Sequence, residues 1–352
     1  MMSVRQFTSV FAGRPRVLAA LLLVGTVLLA GPGAAMAQRT VELVWGHPFS
    51  PQHHIHVNVL IPLAEELEER SDGRIRVRFF PGGALAGASE LYDAVVSGVL
   101  DVAWTLPSYT PGRFPLTEVI EVPFLFWENA EQASWVLWNL YQQHEGMQQE
   151  YADVKLLGIW SNDPRAIFTR EQPVRTLGDL EGLRIRALGS MEFAALEAFG
   201  AVPLGMPAPD IYDALERGVI EGVSITVSAV ATFHFYDVVQ HVTITNHGGG
   251  AQVVVMNLDT WNSLAPEDQE LIASLTGERL SLAGGRQYDR AYQEGMNIID
   301  EHGLQVHYLS EEDMEKWRTV TEPLAIGDWL EAHAHRGARE LYDLMLELAG
   351  QK

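Results

Sequence analysis

Between Arg74 and Phe79 the chain alternates strictly, with Ile75, Val77 and Phe79 set between Arg74, Arg76 and Arg78. Period two puts the apolar side chains on one face, which predicts a strand with one polar side. Just upstream, Val59, Leu60, Leu63, Ala64 and Leu67 recur at helical spacing over about 57–70, and Ser71-Asp72-Gly73 stops that helix. Residues 41–45 form a short β-type run, broken at Gly46-His47-Pro48. Residues 82–87 read as a loop, 89–97 as a helix ended by Gly98, and 99–106 as the next strand. Strand, helix and strand in alternation predict an α/β sheet covered by helices. The last third is mostly helical. Pro266-Glu267-Asp268 opens a helix expected to run to about Ile299, weakened locally by Gly284-Gly285 and Gly295. A strand is expected at 306–309, a helix capped by Ser310 to Asp313 follows, and residues 330–348 continue in helical period.

The pattern repeats once. Residues 89–103 read SELYDAVVSGVLDVA and residues 209–223 read PDIYDALERGVIEGV. Tyr92-Asp93-Ala94 matches Tyr212-Asp213-Ala214, Gly98-Val99 matches Gly218-Val219, and Asp101 matches Glu221. Upstream, the strand Arg74-Ile75-Arg76-Val77 has a counterpart in Arg184-Ile185-Arg186-Ala187. A helix, a glycine C-cap and a following strand are thus used twice. The expected result is two similar α/β lobes with a ligand crevice between them, near the carboxyl ends of the strands.

Composition narrows the chemistry. Arg5, Arg14 and Arg16 precede an apolar run over 17–30, and Ala35-Met36-Ala37 supplies small residues at the −3 and −1 positions. Residues 1–37 therefore read as an export signal cleaved after Ala37, and the protein as periplasmic. The run is shorter than a bilayer span requires. Removing those three arginines from 24 basic residues leaves 21 against 46 acids over 38–352, a net charge of −25. Such a surface repels phosphate backbones and excludes nucleic acid as a partner. With no cysteine, disulfides, thiolate metal sites and a cysteine nucleophile are absent.

No enzyme signature stands out. The Gly82–Ser89 stretch GGALAGAS lacks the lysine of a phosphate-binding loop, and there is no GxSxG elbow. His47, His53, His54 and His56 cluster without an acidic neighbour or a recognised metal-ligand spacing. Two arginines offer paired donors that match a carboxylate. Arg186 sits toward the carboxyl end of its strand, and Arg165 follows Asn162-Asp163-Pro164, where the chain is expected to cross between lobes. Phe49, Trp104, Trp160 and Phe168 lie at strand ends or breaks, Trp104 being the best placed for a ligand.

In order and spacing, several segments resemble the DctP-type solute-binding proteins of tripartite ATP-independent periplasmic (TRAP) transporters. They include Gly73 to Val77 with Phe80-Pro81-Gly82-Gly83, Val122-Pro123-Phe124-Leu125-Phe126, Leu177 to Arg186, Gly218 to Gly222, Val254 to Asn257 and Trp261 to Gln269. The resemblance implies a two-lobed fold like the type II periplasmic binding proteins, with a long helix spanning both lobes. It implies lobe I at 38–163 plus 252–291, and lobe II at 164–251 plus 292–352 with the C-terminal helices. It also implies capture of a small organic acid between the lobes and delivery to a membrane permease, without enzymatic activity, cofactor or metal. Family pattern places the carboxylate on Arg186, with Arg165 assisting and Glu90 as the acidic cleft residue. The full expected ligand-binding set is Arg186, Arg165, Glu90, Trp104, Phe49, Ser190, Ile225, Pro209 and His247. The chain departs from the pattern where Val223-Ser224-Ile225-Thr226 replaces a polar asparagine segment, and where Ala208-Pro209 replaces an aromatic. An apolar residue at Ile225 leaves a polar ligand group there without a partner, so the expected ligand is a monocarboxylate with an apolar or aromatic body.

Overall fold

A computed structural model describes residues 40–125 and 128–350. The export signal, its cleavage point and Phe126 lie outside the described residues. Eleven strands form two sheets: β1 Val41–Gly46, β2 Ile75–Phe80, β3 Val102–Thr105, β4 Val154–Ser161, β5 Arg165–Thr169, β6 Arg184–Ala187, β7 Val202–Gly205, β8 Gly222–Thr226, β9 His241–Ile244, β10 Ala251–Asn257 and β11 Gln305–Tyr308. The first sheet has the order β2-β1-β3-β10-β4 and the second β11-β9-β5-β8-β6-β7. The fold is mixed α/β, with helices packed on two sheets.

The internal repeat is physical. Gly98 and Gly218 both take positive φ, 76° and 67°, and both let the next N–H reach back into the helix, Val99 to Ala94 at 2.9 Å and Val219 to Ala214 at 2.9 Å. Glycine is the residue that adopts this turn without a Cβ penalty. Asp101 then accepts the Val44 N–H at 2.8 Å, and Glu221 accepts the Arg184 N–H at 2.8 Å. Each acid thus ties its strand to the parallel neighbour. That neighbour corrects one match. β3 pairs with β1 and β8 pairs with β6, so β6 corresponds to β1, and β2 corresponds to the edge strand β7. The shared arginine alternation of 74–77 and 184–187 pointed to the wrong strand.

The chain passes between sheets through the helical segment 258–304 and through two short passages, at Asn162-Asp163-Pro164 and at 245–250. The two short passages are bonded to each other, Asn162 N–H to Gly250 O at 3.0 Å and Gly250 N–H to Asn162 Oδ1 at 2.6 Å. Gly248 is required there, because its φ is 124° and a Cβ on it would stand 2.8 Å from the Glu121 carbonyl oxygen. The Asp163 carboxylate accepts from Ser228 N–H at 3.0 Å and Ser228 Oγ–H at 2.5 Å, which anchors the start of helix Ala229–Phe233 to the first passage.

The expected helix over 266–299 is two helices, Pro266–Leu275 and Glu278–Glu301, separated at Gly277 with φ 64°. Gly284-Gly285 do not break the second. They let it approach: Gly284 lies against Trp160 at the end of β4, Gly285 against helix Ala130–Gln143, and Gly295 against the Val227 carbonyl beyond β8. One helix therefore touches both sheets along a small-residue face. Likewise the expected helical run over 330–348 divides at Gly337, with φ 83°, before helix Ala338–Leu348. Leu341 and Met345 of that last helix are buried with Val136, Leu137 and Leu140 from the first-sheet side.

Gly284→Ala would place a Cβ 2.5 Å from the Trp160 ring. Overpacking of this kind costs about 1–3 kcal/mol, more than the ~1 kcal/mol alanine gains in helix propensity. A lowered urea midpoint is expected, and an unchanged or raised midpoint would refute the close-approach role.

Candidate functional site

A cavity of about 560 Å³, counted with the space at its mouth, opens between the two sheets. The first-sheet side supplies Phe49, Leu106 and Gln252, the second supplies Arg165, Arg186 and Ile225, the spanning helix adds Tyr288, and helix Ala229–Phe233 adds Phe233. Apolar and polar side chains share the wall: Phe49, Leu106, Ile225 and Phe233 form an apolar patch, and Ser108, Thr226, Ser228 and Thr232 line the cavity as well. Phe49 faces Phe233 with ring centroids 6.4 Å apart and rests on Trp104 at 4.6 Å.

Alternation in β6 separates its two arginines by position along the strand. Arg184, at the start, pairs with Glu221 at the surface. Arg186, two residues on, is only 3% exposed. Its Nε donates to the Met206 carbonyl at 3.0 Å and its Nη1 to the Ser224 carbonyl at 3.3 Å. Carbonyls orient the guanidinium but do not cancel its charge. Among the described residues no carboxylate lies within ion-pair distance of it. Burial pushes its pKa down, partly offset by the charge of Glu192.

Arg165 has the opposite surroundings. Its Nη2 lies 3.2 Å from Glu121 and its Nε 3.2 Å from Glu192, all three buried. Burial alone would lower its pKa, and the charges of Glu192 and Glu121 more than restore it. Glu192 also accepts the Leu188 N–H at 2.6 Å and the Ser224 hydroxyl. Glu118 accepts from Ser190 Oγ–H. Burial, with Glu118 and Glu192 nearby, pushes Glu121 up to about 8 despite Arg165. That weakens Glu121 as a counter-charge near pH 7, so Arg165 is balanced chiefly by Glu192, and Arg186 is left without an ion-pair partner at the cavity wall. That arrangement suits one incoming carboxylate.

The expected ligand set divides accordingly. Arg186, Arg165, Phe49 and Ile225 line the cavity. Glu90, Trp104, Ser190, Pro209 and His247 do not. Glu90 turns back on its own loop to accept the Gly87 N–H at 3.1 Å. Trp104 is fully buried behind Phe49, its indole N–H donating to Gln252 Oε1 at 2.8 Å, so it backs the wall instead of forming it. Ser190 is engaged by Glu118. Pro209 is exposed, and its neighbour Ala208 takes the wall position. His247 sits beneath the floor, bonded to Ser224 Oγ at 2.8 Å and to Thr245, its pKa pushed down to about 3 first by burial and then by Arg165.

Sequence reasoning missed Tyr109, Tyr288, Asn162 and Phe233, which also line the cavity. Tyr288 had a signal, since it follows Gly284 by one helical turn on the buried face of the spanning helix. The histidine cluster is neutral. Burial takes His47 and His54 down to about 3, and His47 Nε2 meets His56 Nδ1 at 3.0 Å. Among the described residues no three metal-ligating side chains are placed to hold an ion, and no helix is long and apolar enough to cross a membrane.

Glu121 holds its proton more tightly in the folded protein than in the unfolded chain. The stability this contributes is complete below the ordinary value of 4.5 and is lost as pH rises to about 8. In Glu121→Gln no proton is at stake. The melting temperature of wild type should therefore fall relative to the variant between pH 4.5 and about 8, and the gap should level off above that. A gap independent of pH would show that Glu121 is ionised in the fold.

The profile of the bacterial extracellular solute-binding protein, family 7 (DctP), matches residues 45–326. The chain is 30% identical over 244 residues to the 2,3-diketo-L-gulonate-binding periplasmic protein of Escherichia coli K12, covering 68% of this chain and 73% of that protein. Among solved structures, a TRAP solute-binding protein from Rhodoferax ferrireducens T118 with copurified benzoate superposes with a TM-score of 0.84 at 26% identity, covering 89% of this chain and 98% of that one. A TRAP periplasmic solute-binding protein from Bordetella bronchiseptica with bound (R)- and (S)-mandelate gives 0.83 at 28% identity, covering 88% and 99%.

Proposed function

This chain belongs to the family 7 bacterial extracellular solute-binding proteins, and from that premise we propose that it captures a monocarboxylate with an apolar or aromatic body, anchored by Arg186. The family is one of transport receptors and not an enzyme class. The single observation that carries the ligand reading is the buried, carbonyl-held guanidinium of Arg186 beside an apolar patch. A buried charge without a partner is costly, and a carboxylate arriving at Arg186 removes that cost. Phe49, Phe233, Ile225 and Ala208 then cover the body of the ligand. The bound benzoate and mandelate of the two related structures are aromatic monocarboxylates of this kind.

Arg165 plays a supporting part in this reading. It holds Glu121 and Glu192 in place and adds positive potential, but its charge is already committed. Ile225, 7% exposed, offers no hydrogen bond where a sugar acid would require one. Glu90 is left out of the ligand set, and Ala208 takes the place of Pro209.

The wider role follows from the family. Export on the 1–37 signal, with cleavage after Ala37, brings the receptor to the periplasm, and closure of the lobes around the acid creates the surface a TRAP permease reads. In this reading the lobes divide as 38–163 plus 252–291 and 164–251 plus 292–325. Residues 326–348 go with lobe I, since Trp329, Leu341 and Met345 are buried with the first-sheet side.

The test is direct binding of a panel of aromatic and aliphatic monocarboxylates, sugar acids and dicarboxylates by calorimetry. Wild type should bind an aromatic monocarboxylate stoichiometrically and without turnover. Arg186→Ala should weaken it about 100-fold or more, as expected when one partner of a buried charge pair is removed, with the far-ultraviolet spectrum unchanged. Unchanged affinity in Arg186→Ala would remove the anchor, and preference for a sugar acid would remove the apolar-body reading.

A further inference from the structure

A donor-only group fixes the direction of a hydrogen-bond chain ending in the cavity. The indole N–H of Trp104 can only donate, so the Gln252 atom facing it at 2.8 Å is the carbonyl oxygen Oε1. The Gln252 amide nitrogen therefore faces Tyr288 and donates to its hydroxyl oxygen. With that oxygen serving as acceptor, the Tyr288 hydrogen remains to be given away. Among the described residues nothing accepts it, and Tyr288, buried at 4% exposure, lines the cavity. Its burial raises the phenol pKa, so the hydrogen stays in place across the working range.

Tyr109 has the same valence. Its hydroxyl oxygen accepts the Ala208 N–H at 3.3 Å, and its hydrogen is unused. The two tyrosines differ in company. Tyr109 lies close enough to Arg186 for the guanidinium charge to act on it, and so shares the carboxylate end. Tyr288 is held from the first sheet through Gln252 in β10 and Trp104 in β3, with the His54 ring against it at 4.8 Å.

We propose that Tyr288 is a specificity-determining donor that reads an oxygen acceptor on the body of the ligand, so that the preferred ligands are hydroxy- or oxo-substituted aromatic acids. The inference rests on the aromatic-acid reading above and narrows it. A bare hydrocarbon body would cover the Tyr288 hydrogen without accepting it, leaving a buried donor unmet. The Trp104–Gln252 chain makes the site rigid, since rotating the amide would set nitrogen against the indole N–H.

The test is calorimetric binding of phenylacetate, mandelate, 3-hydroxyphenylacetate and 4-hydroxyphenylacetate to wild type and Tyr288→Phe. In wild type at least one oxygenated acid should bind about tenfold tighter than phenylacetate, the usual worth of one such hydrogen bond. In Tyr288→Phe that preference should vanish, with phenylacetate binding as tightly as before or tighter because the unmet donor is gone, and its retained binding doubles as the control for folding. The proposal is overturned if no oxygenated acid is preferred by wild type, if the preference survives in Tyr288→Phe, or if all affinities drop together, the last placing Tyr288 on the carboxylate. Wild type that binds none of the four refutes the aromatic-acid reading itself, and this inference with it.

Discussion

A guanidinium buried at the cavity wall and held only by carbonyl oxygens is the constraint on which the rest of the site turns. Two carbonyls, from Met206 and Ser224, fix where the Arg186 fork points, and neither supplies a negative charge. Each comes from the second sheet side, one just beyond β7 and one within β8. The strand order β8-β6-β7 is thus what sets the direction of the fork. The charge waits for a partner from outside the chain, which is how a receptor with a strongly acidic composition can attract an acid. The net −25 of residues 38–352 acts at the surface, where salt screens it within about 10 Å. Inside the cavity the field is set by a handful of buried groups.

Those groups form a graded set. Glu192 balances Arg165, while Glu121 and Glu118 have their pKa values raised by burial. An ionised Glu121 would reduce the positive field that a ligand anion meets. Burial of an acid therefore serves anion binding here, by weakening a negative charge without removing the side chain that orients Arg165. Ser224 and His247 continue the network below the floor and hold Glu192 in its position.

Much of the fold was legible in the sequence because the repeat has a chemical cause. Gly98 and Gly218 are needed for the same left-handed turn, and Asp101 and Glu221 for the same backbone contact. The match of 74–77 to 184–187 failed because alternation reports only that a strand has two unlike faces, and many strands share that. Arg186 and Arg165 were candidates because a guanidinium matches a carboxylate, and the family resemblance is what singled them out. Tyr109 and Asn162 were not, since they sit in irregular segments that no periodicity marks. Glu90 and Pro209 were carried over by position in a family pattern, but the Gly87 N–H holds the Glu90 side chain on its own loop and Pro209 is exposed.

The central claim is that Arg186, and not Arg165, holds the unmatched charge. A crystal structure of the protein with a co-crystallised aromatic monocarboxylate tests it most directly. The account predicts a carboxylate oxygen about 3 Å from the Arg186 guanidinium, with the Arg165 pairs to Glu121 and Glu192 intact. A carboxylate seated on Arg165 with either glutamate displaced, or a ligand body lying against Arg186, would contradict it.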